Sequence, residues 1–240
     1  MRNRKIWFIT CVSKGFGSEI AKAALRSGDK VVGTVRGKPR ELPAALMNAP
    51  DFLLVRLDVT KEKEVIAGVQ EAVRHFGGID VVVNNAGFEM AAAADEATDA
   101  ETRRQFDTNV FGLLNIVRAA LPDLRSQRSG HIINISTFFG YDVLPGWGLY
   151  GATKFAVEGI SKGLAMELAP LGIHVTAMAP GLFSKGFPGG PEKLAKVVVQ
   201  LANLENPPTQ LPIGRNTAAE LSCYTDPITP IFHFSNFKYE

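Results

Sequence analysis

The feature that most restricts how this chain can fold is an alternation of short, wholly apolar runs with stretches of helical periodicity, sustained from residue 6 to residue 178. A run that is apolar at every position, rather than at every second one, suits a strand covered on both faces. Parallel strands joined by crossover helices provide that cover. Strands are expected at residues 6–10, 30–35, 52–57, 80–83, 131–135 and 174–178, and helices near 18–26, 61–75, 101–125 and 150–168. In the third helix Phe106, Val110, Leu113, Val117, Leu121 and Leu124 recur at steps of three and four, the spacing of one buried stripe. The fold class is α/β: a doubly wound parallel sheet of six to seven strands with helices on both faces.

At 240 residues and 46% hydrophobic content, the chain is long enough to bury one sizeable core. Residues 1–221 read as a single domain. Within it, residues 193–204 are a short helix after a turn at FPGGPEK, and residues 222–240 form an irregular tail whose prolines and aromatics follow no period. The formal net charge is +2 without any block of like charges, so composition supports neither a nucleic-acid nor a membrane partner. Cys11 and Cys223 make no disulfide framework, and the first residues turn polar too soon for a signal peptide or a membrane span. A cytoplasmic protein is expected. His75, His131, His174 and His233 show no ligand spacing, which argues against a metal centre.

In a doubly wound sheet, ligands bind beyond the carboxyl ends of the strands, where the strand order reverses. The loop after the first strand reads TCVSKGFG, and Cys11, Ser13, Lys14, Gly15, Phe16 and Gly17 are candidates for holding a dinucleotide. Its glycines let the backbone approach a pyrophosphate at a helix N-terminus. A plain strand-to-helix turn is the alternative reading of this loop taken alone. The second strand ends in TVRGKPR, with Arg36 where an NAD site places an acid. Together with Lys14 it favours the 2′-phosphate of NADP, the alternative being that both are solvated surface charges. Asp58, with Val59 beside it, either accepts from an adenine amino group or caps the following helix. The fourth strand empties into NNAG, where Asn85, Ala86 and Gly87 suit a backbone lying along a ligand.

Tyr150 and Lys154 are four residues apart in YGATK and so share a helix face. An ammonium beside a phenol lowers a pKa that starts near ~10, which makes tyrosine a usable general acid or base. Ser136 ends the apolar strand HIINIS on the same sheet edge and can hydrogen-bond a substrate carbonyl. Asn109, polar within an apolar helix, either completes this group or bonds local backbone near Gly112. Between Ser136 and Tyr150, Phe138, Phe139, Tyr141, Leu144, Trp147 and Leu149 are divided between an apolar substrate wall and the core.

TxxxxGxG, NNAG, Asn109, Ser136, YxxxK and the later Pro180–Gly181 stand in an order that resembles the short-chain dehydrogenases/reductases with a single Rossmann domain. The resemblance runs over residues 5–184 and reaches LPIG at 211–214 more loosely. It implies an NADP(H)-dependent oxidoreductase interconverting a carbonyl and a secondary alcohol on a small apolar substrate. Tyr150 would exchange the proton, Ser136 orient the oxygen, Lys154 hold the nicotinamide ribose and lower the tyrosine pKa, and Asn109 keep a water for proton relay. Pro180, Gly181 and Ser184 would lie against the nicotinamide and its phosphate. It also implies a homodimer or homotetramer. Two departures stand out. Cys11 replaces the first loop glycine, at an expected cost of about 1–2 kcal/mol and roughly tenfold in cofactor affinity if its φ is positive. The substrate lid is shortened to residues near 185–190. The alternative function is a dinucleotide-binding protein with weak or no catalysis.

Overall fold

The computed structural model describes residues 4–37, 42–181 and 190–214. Residues 185–189 of the shortened lid expected near 185–190, Ser184 and the tail at 222–240 lie outside them. Seven strands, β1 (Ile6–Ile9), β2 (Lys30–Val35), β3 (Phe52–Arg56), β4 (Val81–Asn84), β5 (Gly130–Ile135), β6 (Ile173–Pro180) and β7 (Gln210–Ile213), form one sheet. Its order is β3-β2-β1-β4-β5-β6-β7, and every neighbouring pair is parallel. The apolar runs are continuous because both faces are covered. In β1, Trp7 and Ile9 join one core layer and Phe8 the other, all fully buried.

The first layer is closed by α1 (Gly15–Arg26) and α7 (Gly190–Leu201), through Ile20, Ala24, Leu194 and Val198. The second is closed by α3 (Glu62–Phe76), α5 (Gly112–Gln127) and α6 (Gly148–Leu168), through Val69, Ile116, Leu124 and Leu168. A short helix, α2 (Ala44–Met47), escaped the sequence reading because one turn carries no period. Similarly α7 begins inside GGPEK, in the segment read as a turn.

The helix expected over residues 101–125 is longer and interrupted. It starts as α4 (Asp99–Phe106), where Thr98 and Glu101 form a reciprocal capping box. It then passes through a π turn at Asp107–Phe111 before continuing as α5. A π turn adds a residue to one turn without changing the apolar character of the stripe, so spacing alone does not reveal it.

His131 in β5 is buried, and its pKa is pushed down to about 3, first by that burial and then by His174 and Lys5. It stays neutral and lies 2.9 Å from Thr176 Oγ1. Because the Thr176 hydroxyl donates to the Pro208 carbonyl, the imidazole Nε2–H is the donor of the pair.

Candidate active site

The sequence order runs outward through β1, β2 and β3 and then returns to β4 beside β1, so the loops after β1 and β4 open at the point of reversal. They are clasped together. Thr10 Oγ1 accepts from the backbone N–H of Asn85 at 2.9 Å and of Ala86 at 2.8 Å. The Asn85 amide donates back to the carbonyls of Thr10 at 2.9 Å and Cys11 at 3.2 Å. Thr10 was not among the candidates, though the T of TxxxxGxG was its signal. Gly17 serves this clasp: a Cβ there would come within 2.4 Å of both Asn85 Nδ2 and the Cys11 carbonyl.

Beside the clasp lies a cavity of about 380 Å³, bordered among others by Cys11, Ser13, Arg36, Asp58, Val59 and Gly87. Its residues fit a phosphate-bearing nucleotide. Helix α1 starts at Gly15 after Lys14, with no side-chain cap and no acid in its first turn, so its leading N–H groups and positive end are left for an anion. Arg36 follows β2 at the rim. Lys14 is exposed, and Phe16 is half-buried against the core layer that α1 closes. Asp58 Oδ1 is taken by the Thr60 N–H and hydroxyl at 2.9 and 2.8 Å, a turn-forming role beside its place in the cavity wall. Arg104 of α4 also borders the cavity, its guanidinium 5.3 Å from the Phe88 ring centroid. No local pattern marked that arginine, because only the packing of α4 brings it there.

Cys11 has φ 60°, in the left-handed region that disfavours a β-carbon. The condition set for the expected strain is therefore met, and Cys11 also borders the cavity.

The remaining candidates gather where β5 and β6 end. Ser136 follows β5 and donates its N–H to the Met178 carbonyl. Lys154, buried in α6, donates from Nζ to the Ile135 carbonyl at 2.9 Å and lies 5.7 Å from the Tyr150 ring centroid. Pro180 closes β6, and Gly181 donates its N–H to Ile213 of β7. Asn109, in the π turn, accepts from the Phe88 N–H at 3.0 Å, and its Nδ2 donates to the Phe88 carbonyl at 3.0 Å and to Thr153 Oγ1 at 3.1 Å. Thr153 in turn donates to the Tyr150 carbonyl at 2.7 Å. Asn109 thus ties the loop after β4 to the first turn of α6 and makes no bond to backbone near Gly112. Gly87 lets it approach, since a Cβ there would lie 3.1 Å from Asn109 Oδ1.

Electrostatics depart from expectation. Burial first, then the Glu89 carboxylate, push the Tyr150 phenol above its ordinary range. Burial brings Lys154 down to about 8 against the pull of Glu158 and Glu89. The lysine therefore does not lower the tyrosine here; the phenol is held protonated. The aromatic run divides between buried and exposed positions. Phe138, Phe139 and Tyr141 are core, whereas Leu144 is exposed and Trp147 is half-buried, stacked 4.9 Å from Phe139.

A family model described as short chain dehydrogenase matches residues 5–187. An oxidoreductase named BOA17, from Botryotinia fuckeliana, is 34% identical over 244 residues, covering 88% of this chain and 89% of that one. A 3-ketodihydrosphingosine reductase from Bacteroides thetaiotaomicron is 40% identical over 183 residues, covering 76% of this chain and 65% of the relative. Among solved structures, a short-chain dehydrogenase from Streptomyces avermitilis aligns with TM-score 0.81 and 31% identity over 93% of each chain. ElxO with NADP bound aligns with TM-score 0.81 and 30% identity, over 88% of this chain and 97% of that one.

Proposed function

The chain belongs to the short-chain dehydrogenase family, oxidoreductases acting on CH–OH and carbonyl groups, and from that premise we propose that it interconverts a carbonyl and a secondary alcohol of a small apolar substrate with NADP(H). The observation that carries this reading is a juxtaposition. A nucleotide-sized cavity with Arg36 at its rim opens on the same sheet edge as the Ser136, Tyr150 and Lys154 group. The NADP bound by ElxO and by a metagenomic short-chain oxidoreductase supports the choice of cofactor.

The loop after β1 and Arg36 would hold NADPH, which when bound would supply a hydride. Tyr150, protonated by burial and by Glu89, holds the proton that the carbonyl oxygen requires. Ser136, whose Oγ is covered in this structure, would turn its hydroxyl toward that oxygen, and Lys154, with its ammonium 5.7 Å from the phenol ring centroid, would hold the ribose. Asn109 acts by fixing Phe88 and the first turn of α6, both of its amide hydrogens being engaged there. With these three reacting groups together, a non-catalytic binding role is the weaker reading.

A fluorescence titration of the purified protein with NADPH and, separately, NADH tests the cofactor. Saturable binding with a clear preference for NADPH is expected; a folded protein that binds neither overturns the reading. We also assign this chain to homodimers or homotetramers, because Phe111, Phe155 and Met166 are exposed by 53%, 47% and 80% on neighbouring helical elements. Light scattering is expected to give a multiple of the chain mass, and a monomer over a wide concentration range would contradict it.

A further inference from the structure

Helix α6 presents Tyr150, Lys154 and Glu158 at successive steps of four, so the three share one face. The proposed reaction uses only the first two. Glu158 is 5% exposed, and a carboxyl so placed must be hydrogen-bonded or neutral. Its Oε2 accepts from Gln210 Nε2 at 2.9 Å, and the same nitrogen lies 3.4 Å from Tyr141 Oη. Among the described residues neither its Oε1 nor Ser136 Oγ has a hydrogen-bond partner of ordinary geometry, and both are buried among them. The two atoms border the bare Cα of Gly140. A Cβ built there would stand 2.7 Å from Ser136 Oγ, 2.9 Å from Glu158 Cγ and 3.3 Å from Glu158 Oε1. Both oxygens border the space over Gly140, and Ser136 is a hydrogen-bonding neighbour of the Glu158 carboxyl, so that either group can supply the hydrogen between them.

Building on the reductase reading, we propose that Glu158 is a positioning residue whose protonation decides which way the Ser136 hydroxyl donates. When Glu158 is neutral, its O–H donates to Ser136 Oγ, and the Ser136 hydrogen is free for a substrate carbonyl. When Glu158 is ionised, that hydrogen turns to Oε1. Ser136 then offers the substrate a lone pair, which suits an alcohol and not a carbonyl. The groups facing Glu158 are Ser136 at the end of β5, Tyr141 after the 3-10 turn Phe138–Gly140, Gln210 on β7, and Lys154 and Lys162 on α6 itself. Burial outweighs them and holds the carboxyl above the usual range, while Ser136, Gln210, Tyr141 and Lys162 each draw it down. A cavity of about 380 Å³ bordered by Tyr141, Asp142, Glu158, Lys162 and Gln210 adjoins the carboxyl and gives its proton a way out on that side.

Two measurements on the whole protein test this. An NMR titration follows the Glu158 carboxyl, assigned by loss of its signal in Glu158→Gln. Ser136→Ala removes a group that draws the carboxyl down, so its apparent pKa is expected to rise by about one unit. An unchanged value overturns the proposal whatever the protein reduces. In carbonyl reduction, kcat/KM is expected to fall roughly tenfold per pH unit above the Glu158 pKa. That decline should vanish in Glu158→Gln, whose amide oxygen faces Gln210 Nε2 and whose NH₂ faces Ser136, and Glu158→Asp should restore part of it. A decline that persists in Glu158→Gln, or an equal loss at every pH, overturns the proposal. A shifted Glu158 in a protein that reduces no carbonyl supports the pairing and counts against the reductase reading, which keeps the two failures apart.

Discussion

Replacing Tyr150 by phenylalanine is expected to lower kcat for carbonyl reduction by roughly 10²–10⁴-fold, the contribution of a positioned general acid, or about 3–5 kcal/mol of transition-state stabilisation. The change removes one oxygen. The ring's edge contacts with Phe139 at 5.7 Å and Trp147 at 6.0 Å survive it, so the melting temperature should stay close to that of the parent protein. Sign and cause agree on the protonation state: burial and Glu89 push the phenol above its ordinary value of 10, so Tyr150 stays protonated through the neutral range and is poised to donate. Single-turnover reduction with saturating NADPH measures the loss. A rate that is unaltered in Tyr150→Phe would remove this residue as the acid, and the proposed mechanism with it.

The second large effect concerns the cofactor. Arg36→Ala is expected to weaken NADPH binding by about 10–100-fold while leaving NADH nearly unaffected, because a charge-assisted hydrogen bond to a phosphate contributes roughly 1.5–3 kcal/mol. The side chain is exposed, so the difference should shrink as salt is raised. Lys14→Ala is expected to do less, since that lysine does not share the cavity wall with Arg36. Fluorescence titrations of the two variants with both nucleotides decide the matter. An equal loss for NADPH and NADH would place Arg36 at the shared part of the dinucleotide and not at the 2′-phosphate.

Much of the site was legible in the chain because it sits in loops that directly follow strands. TCVSKGFG, NNAG, Ser136 and YGATK each lie where an apolar run ends or a helix begins, and a parallel sheet delivers all such places to one edge. Cys11 was legible as a departure, but its meaning was not: whether a β-carbon there is strained depends on φ, and φ 60° emerges only from the loop's closure against Asn85 and Thr34. The aromatic run after Ser136 was ambiguous for a different reason. Hydrophobicity reports that a side chain prefers to leave water. It does not say whether protein or substrate covers it, and Phe138 and Phe139 proved to be covered by protein.

Periodicity and residue type are local quantities. By themselves they determined that the strands are covered on both faces, that they run parallel, and that a phosphate-compatible loop and a tyrosine–lysine pair face the same end of the sheet. Tertiary structure alone decided which distant groups meet. It brought Arg104 to the cavity, Asn109 to Phe88 and Thr153, and Glu158 to Ser136 across Gly140. It also set the sign of the Tyr150 shift, because a pKa follows from the summed burial and charge around a group, and neither sum is complete until the chain has closed around it.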